Sequence, residues 1–221
     1  MKKRMWEEVK DWLWRHRRPV VAVCCILSVL GITAAVTLTV QGRRTMAAES
    51  IQEGIAGEII RFHVIANSDS QEDQDLKLLV KDQIVKYMEP ILKDAGDISE
   101  TRVRIQDHLG EIEEKATEVI KSQGYDYPVE AGLTKCYFPI KTYGDCTFPA
   151  GEYEALRVCI GEAQGKNWWC VLYPNLCFID SIHAVVPEEQ KEELKNVLTE
   201  EEYDSLFDWR TSDFEIKTKW F

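Results

Sequence analysis

The sequence lacks the local signatures of several classes of enzyme and binding protein. It has no Gly-x-Ser-x-Gly nucleophile elbow, and Gly161–Gly165 is a turn without the strand–helix context of a phosphate-binding loop. The cysteines form no close Cys-x-x-Cys pair and have no histidine beside them, which disfavours a zinc site. We therefore expect no metal, no cofactor and no small-molecule substrate.

Positive charge is scarce outside the N-terminus. The chain carries 27 Lys and Arg against 38 Asp and Glu, a net charge of −11. Residues 41–221 hold 20 basic and 35 acidic side chains, whereas residues 1–18 hold seven basic and three acidic ones. An acidic domain of this kind is poorly suited to bind nucleic acid or anionic lipid by charge, so we expect no nucleic-acid partner.

Charge is absent altogether from residues 19–40. As a helix, Val20–Val40 would span about 30 Å, the thickness of the hydrocarbon core of a bilayer. The preceding arginines favour a cytoplasmic N-terminus. An uncleaved anchor and a signal peptide cleaved near Thr45-Met46-Ala47-Ala48 both remain open. The predicted segments are a cytoplasmic basic segment over 1–18, a transmembrane or signal segment over 19–40, a linker or helix continuation over 41–57, an extracytoplasmic domain over 58–206 and an aromatic tail over 207–221.

The first half of the outer domain predicts one strand and two helices. The β-branched run Ile59–Ala66 predicts a strand with Arg61 and His63 on one face and apolar side chains on the other. The first helix begins after a Ser70 cap and is kinked or ended by Pro90. The second helix begins near Ser99 and ends at Gly124, a plausible C-cap.

The second half is strand-rich and ends in a helix. Tyr127–Tyr173 predicts several strands, including a hairpin in which Gly161–Lys166 is the loop and Val158 faces Trp169. Pro187–Leu206 predicts one acidic helix. Strands segregated from helices predict an α+β fold, a mostly antiparallel sheet covered by helices.

The cysteines and histidines allow one catalytic alternative. A Cys-His or Ser-His-Asp arrangement could use Cys170 with His63 or His183, and Asp69 or Asp180. This would make the chain a cell-envelope hydrolase. An odd number of cysteines leaves at least one unpaired within the outer domain, and their pairing stays open. They are Cys136, Cys146, Cys159, Cys170 and Cys177.

Two adjacent tryptophans, Trp168 and Trp169, stand out in the predicted last strand. Neighbouring strand residues point to opposite faces, so at most one of them can serve a one-sided core. The other is then an exposed interface anchor, or the strand is buried on both faces. Lys141–Asp145 is a second conspicuous turn.

Three long strings of the sequence together resemble the stage II sporulation protein R family of endospore-forming Firmicutes. They are RFHVIANSDSQEDQDLKLLVKD, KTYGDCTFPAGEYEALRVCIG and GKNWWCVLYPNLCF, in this order between about Arg61 and Val185. The chain departs from the family pattern only at turns, in Tyr173–Leu176 and Gly161–Gly165.

The resemblance implies a signalling role. It implies a non-enzymatic protein made in the forespore and exported into the space between forespore and mother cell. There it would activate a membrane-embedded aspartic protease, which cleaves the precursor of the early mother-cell sigma factor. The matching strings provide the candidate partner-binding residues. These are His63, Asn67, Asp69, Lys141, Tyr143, Gly144, Asp145, Asn167, Trp168 and Trp169.

Overall fold

The computed structural model describes residues 2–15, 17–177 and 185–207 of the chain. The chain divides into two compact units, Met1–Ala47 and Ala48–Phe221. The helices in the described ranges are α1 (Lys2–Arg15), α2 (Arg17–Glu58), α3 (Gln71–Leu92), α4 (Ile98–Asp107), α5 (Leu109–Ser122), α6 (Glu188–Val197) and α7 (Glu200–Phe207). The strands there are β1 (Ile60–Ile65), β2 (Val129–Phe138), β3 (Lys141–Tyr143), β4 (Cys146–Phe148), β5 (Gly151–Ile160) and β6 (Asn167–Tyr173).

The long helix α2 carries the apolar segment. By length and composition its stretch Cys25–Glu58, with a mean hydropathy of 1.8, could cross a membrane. Pro19 lies in the first turn of α2, where its missing N–H costs no helical bond. The hydroxyls of Thr33, Thr37 and Thr39 donate to backbone carbonyls of the preceding turn at 2.7 to 2.9 Å, so they suit an apolar environment. The predicted N-terminal apolar helix, a candidate span or signal sequence, is confirmed.

The sheet of the second unit is mixed. Its strand order is β2-β5-β1-β6, with β1 parallel to β5 and antiparallel to β6, and with β2 antiparallel to β5. Strands β3 and β4 form a separate antiparallel hairpin. The predicted α+β class with mostly antiparallel strands is therefore confirmed.

One face of the sheet is covered by α3, α4 and α5. Phe62 and Val64 of β1 are buried there among apolar side chains of the three helices. Ser70 caps α3 as predicted, accepting a bond from the Asp73 N–H at 3.2 Å. Gly124, at φ +83°, follows α5 and completes a Schellman motif in which the Tyr125 N–H donates to the Ile120 carbonyl.

The opposite face is covered by the last turns of α2, the β3–β4 hairpin, α6 and α7. Ile55 and Ile59 are fully buried in this second core, together with Phe138, Phe148 and Tyr153. Much of the predicted linker over 41–57 is therefore helical, and its last turns belong to the core. Strand β1 is buried on both of its faces, which is the pattern of a central strand.

Three sequence expectations differ from the structure. Strands β5 and β6 are not a hairpin, because the doubly buried β1 lies between them and Trp169 pairs with His63 instead of Val158. The predicted second helix is interrupted at His108, whose Nδ1 donates to the Arg104 carbonyl at 2.8 Å. The predicted last helix is also two helices, since Thr199 and Glu202 form a capping box that starts α7 afresh.

Candidate partner-binding site

Arg61 lies at the centre of the second face and is fully buried. Three aromatic rings surround its guanidinium: Phe138 at 4.3 Å from the ring centroid, Tyr153 at 5.0 Å and Phe148 at 5.3 Å. Each ring presents a negative π face to the cation. Strand pairing explains the convergence, because β1 is central and the rings come from β2, β4 and β5.

The same guanidinium has few hydrogen-bond partners. Its Nε donates to the Cys170 carbonyl at 3.3 Å and its Nη2 to the Tyr143 hydroxyl at 3.1 Å. Its Nη1 is buried without a hydrogen-bond partner among the described residues. The rings and two neutral acceptors therefore hold a buried positive charge, a role for which arginine is better suited than lysine.

His63 lies two residues further along the same face of β1. Its ring stacks on Trp169 with centroids 5.0 Å apart and planes 14° apart. Burial, Arg157 and Arg61, in that order, lower the pKa of His63 to about 4, so the imidazole is neutral at pH 7. Its Nε2 lies 3.5 Å from Cys136 Sγ, and burial raises the pKa of that thiol. The contact therefore joins a neutral imidazole to a neutral thiol.

The outer edge of this arrangement reaches solvent. Trp169, Lys141 and Tyr143 are each half-buried. Lys141 Nζ stands 5.6 Å from the Trp169 ring centroid, and burial together with Arg61 lowers the Lys141 pKa. We call this group the Arg61 cluster. It consists of Arg61, His63, Phe138, Lys141, Tyr143 and Trp169.

Comparison with known proteins identifies the chain. The family model for stage II sporulation protein R matches residues 56–183. Stage II sporulation protein R of Bacillus subtilis (strain 168) is 35% identical over 170 residues, which cover 77% of this chain and 76% of that protein. The chain belongs to the stage II sporulation protein R family. No solved structure matches it.

Membership of the stage II sporulation protein R family assigns the chain a role in sporulation. The matched residues include the last turn of α2 and every strand of the sheet. They therefore contain the whole Arg61 cluster. The family match thus covers the strands that carry this face, whereas α6 and α7, which pack on it, lie beyond residue 183.

Two of the candidate residues, Asn67 and Asp69, join two loops of the domain. Asn67 Oδ1 accepts a bond from the Glu162 N–H at 2.9 Å, and its Nδ2 donates to Asp73 at 2.8 Å. Asp69 accepts a bond from the Lys166 N–H at 2.7 Å. These bonds fasten the loop after β1 to the loop between β5 and β6, which explains both side chains structurally.

Gly144 and Asp145 form the turn of the β3–β4 hairpin. Gly144 has φ +57°, and a Cβ there would lie 3.0 Å from the backbone of Val185 and Val186. Asp145 accepts bonds from the Val186 N–H at 2.8 Å and from Lys191 Nζ at 2.9 Å. Although burial opposes ionisation, these bonds lower the pKa of Asp145. The pair therefore anchors the hairpin to the start of α6.

The two tryptophans point to opposite faces, as predicted. Trp168 lies on the helical face, with its ring 5.8 Å from Phe62 and Lys81 Nζ at 4.9 Å. Trp169 lies in the Arg61 cluster. Both are half-buried, so each tryptophan packs on its own face of the sheet and also keeps an exposed edge. Asn167 stands beside them with a buried Oδ1 that has no partner among the described residues.

The structure thus brings together His63, Lys141, Tyr143 and Trp169 and separates the other six candidates. Sequence reasoning missed Arg61, Phe138, Tyr153 and Cys136. Arg61 carried a usable signal, because an arginine on a strand between Ile60 and Phe62 must be buried if the strand is central. The aromatic residues around Arg61 carried no such signal in the sequence, because they come together only through the order of the strands.

The Cys170 hydrolase alternative fails on geometry within the described residues. Cys170 forms a disulfide with Cys177 and so has no thiol. Its side chain also lies in the helical core, whereas His63 lies on the opposite face of the sheet. His183, Asp180 and the tail beyond Phe207 lie outside the described residues.

Proposed function

We propose that this protein is an exported sporulation signal that activates a membrane-embedded aspartic protease by binding it. The protease then cleaves the precursor of the early mother-cell sigma factor. The observation that carries the proposal is the family match over residues 56–183. The apolar α2 supports export from the forespore into the intermembrane space, as a span or as a cleaved signal.

A binding role rather than a catalytic one is supported by the chemistry of the described site. Cys136 and His63 are in contact, but the thiol and the imidazole are both neutral, so this pair has no thiolate nucleophile. The half-buried edge of the Arg61 cluster presents a tryptophan and a tyrosine, which are residue types enriched at interfaces, with Lys141 beside them.

The Arg61 cluster also supplies preorganisation. Trp169 is stacked on His63, and Phe138 packs edge-on at 4.7 Å between ring centroids. A side chain that is already fixed loses little rotamer entropy when a partner covers it. The exposed edge of Trp169 therefore offers apolar area at low entropic cost.

Activation requires that the protein bind the active state of the protease more tightly than the inactive one. About 5.5 kcal/mol of differential binding moves a two-state equilibrium from 1:99 to 99:1. One buried tryptophan with a desolvated cation contributes a substantial part of that amount, roughly 2 to 4 kcal/mol by area and cation–π terms.

The test is charge reversal at Lys141 in sporulating cells that carry the variant as their single copy. Lys141→Glu should reduce cleavage of the sigma-factor precursor by roughly tenfold, because it removes the cation beside Trp169. The matched control is Lys135→Glu, an exposed lysine of β2 that pairs with Glu154 on the other face of the sheet. Immunoblots verify that both variants accumulate.

The outcomes separate the parts of the proposal. Equal cleavage with Lys141→Glu and Lys135→Glu contradicts this surface as the contact. Normal cleavage in cells that lack the protein contradicts protease activation itself. Cys136→Ser should leave cleavage unchanged, whereas its complete loss in a folded protein would favour thiol catalysis.

A further inference from the structure

The N-terminal helix α1 has an exposed apolar stripe that the proposed function does not use. Met5, Trp6, Val9 and Trp12 fall within an arc of about 120° on a helix that turns 100° per residue. Their exposed fractions are 63%, 63%, 43% and 55%. Four large apolar side chains on one helix face are unusual for a surface in water.

Most of the other residues of α1 are charged, with Leu13 and Trp14 as the exceptions. Lys10 and Glu7 form an exposed pair at 3.5 Å on the polar side. The helix opens with the basic run Lys2–Arg4. Residues 1–18 have a net charge of +4, the opposite sign to the −15 of residues 41–221. An apolar stripe with tryptophans, on a charged helix that has more basic than acidic residues, is the pattern of a helix that lies in a membrane interface.

Helix α1 directly precedes the candidate membrane segment of α2, so it would lie close to a membrane surface. Only His16 separates the last residue of α1 from the first residue of α2. The uncharged, apolar part of α2 begins at Pro19. A helix tethered this closely to a membrane-inserted segment cannot move far from the lipid surface. Arg17 and Arg18 follow at the junction and add charge that anionic headgroups attract.

We propose that α1 lies along the membrane–water interface of the leaflet at which α2 begins, with Met5, Trp6, Val9 and Trp12 in the lipid and its basic residues at anionic headgroups. The inference rests on one part of the proposed function, the insertion of α2, and is independent of the protease. Such a helix fixes the depth at which α2 enters the bilayer.

The experiment uses the full chain in vesicles of phosphatidylcholine and phosphatidylglycerol, part of the lipid brominated on its acyl chains. Bromine quenches tryptophans that lie in the lipid. The Trp6→Phe/Trp12→Phe variant should lose most of the quenchable fluorescence. The matched control is Trp14→Phe. Trp14 is 73% exposed and lies outside the stripe, so this variant should keep most of the quenchable fluorescence. Val9→Asp should also lose most of the quenching, because a carboxylate in the stripe opposes burial.

Carbonate extraction of the same vesicles separates this proposal from the proposed function. A chain that resists extraction but keeps its quenchable fluorescence in the Trp6→Phe/Trp12→Phe variant overturns only the placement of α1. A chain that carbonate removes overturns the insertion of α2 and with it the placement of α1, but does not bear on activation of the protease. If the wild type shows no quenching and its copies cross-link through α1 instead, the stripe contacts a second copy of the chain. That result also overturns the proposal.

Discussion

At the scale of single residues, Arg61 is the clearest case of a charge whose environment is aromatic rather than acidic. Three ring centroids lie within 5.3 Å of its guanidinium carbon, and no carboxylate among the described residues bonds to it. Replacing a buried charged side chain by an apolar one of similar volume can leave the stability of the protein nearly unchanged. A buried charge that has lost its compensating contacts lowers the stability strongly. The identity of the replacement should therefore decide the effect on stability.

We expect Arg61→Lys to lower the free energy of unfolding by about 2 to 4 kcal/mol, because an ammonium keeps the charge and loses the planar stacking. Arg61→Met should lie within about 1 kcal/mol of the wild type, since it fills similar space without a charge. Urea unfolding of the full-length protein in detergent, followed by near-ultraviolet circular dichroism, measures both. If Arg61→Met were less stable than Arg61→Lys, the aromatic surroundings of the guanidinium would not be what stabilises Arg61.

His63 makes the stability of the domain depend on pH. Its pKa is about 4 in the folded protein, against an ordinary value of 6.5, so the unfolded chain binds more protons between these values. Stability should fall by up to about 3 kcal/mol as the pH drops from 6.5 to 4, and this contribution should not change further below pH 4. Carboxylates titrate in the same range, so the quantity to measure is the difference from His63→Gln. A difference that is independent of pH would contradict the buried neutral imidazole.

At the scale of elements, the contact between the β5–β6 loop and the loop after β1 holds the central strand in the sheet. Gly161 has φ +59°, and a Cβ there would lie 2.2 Å from Asn67 Oδ1. The Gln164 and Gly165 N–H groups donate to the Asn67 and Ala66 carbonyls. The loop thus passes over the end of β1 instead of closing a hairpin.

Gly161→Ala should therefore destabilise the protein by roughly 1 to 3 kcal/mol, because a side chain at positive φ adds strain to the clash with Asn67. Gly132→Ala is the matched control, since a Cβ at Gly132 in β2 meets nothing within 4 Å. Thermal unfolding of both variants tests this. Equal midpoints would mean that the loop rearranges without cost.

Local signals in the sequence predicted the elements well and their arrangement poorly. The Ser70 cap, Gly124 and the strand character of β1 were readable because each depends on a few neighbouring residues. The insertion of β1 between β5 and β6 cannot be predicted from local signals, because it pairs residues about 100 positions apart. The Arg61 cluster depends on that pairing. The Thr199–Glu202 capping box is a local signal of the same kind, and it divides the single helix predicted over Pro187–Leu206.

At the scale of the whole molecule, the disulfide between Cys170 and Cys177 reports on the compartment that the domain reaches. Disulfides persist outside the cytoplasm and are rare inside it. Cys136, Cys146 and Cys159 are free thiols in the structure. Exported protein should therefore carry one bond between these five cysteines, and protein retained in the cytoplasm should carry none.

Mass spectrometry of alkylated protein from sporulating cells measures this directly. The Cys170→Ser/Cys177→Ser variant should be less stable by roughly 2 to 3 kcal/mol, from the closure entropy of a loop of about eight residues. Unchanged stability, or a different pair of linked cysteines in the exported form, would contradict the bond. Cys136→Ser is the control and should leave the bond intact.

The division of the chain at Ala47 and Ala48 bears on how the domain would be released from the apolar helix if a signal peptidase cleaved there. Ile51, Ile55 and Ile59, which pack in the second core, all follow that division. A signal peptidase that cut after Ala47 would remove no residue of that core. The liberated fragment would keep its folding free energy and its aromatic edge, the surface with which we propose that it binds the protease. Tethered and diffusible forms of this protein would then be equally potent ligands, differing only in the distance over which they act.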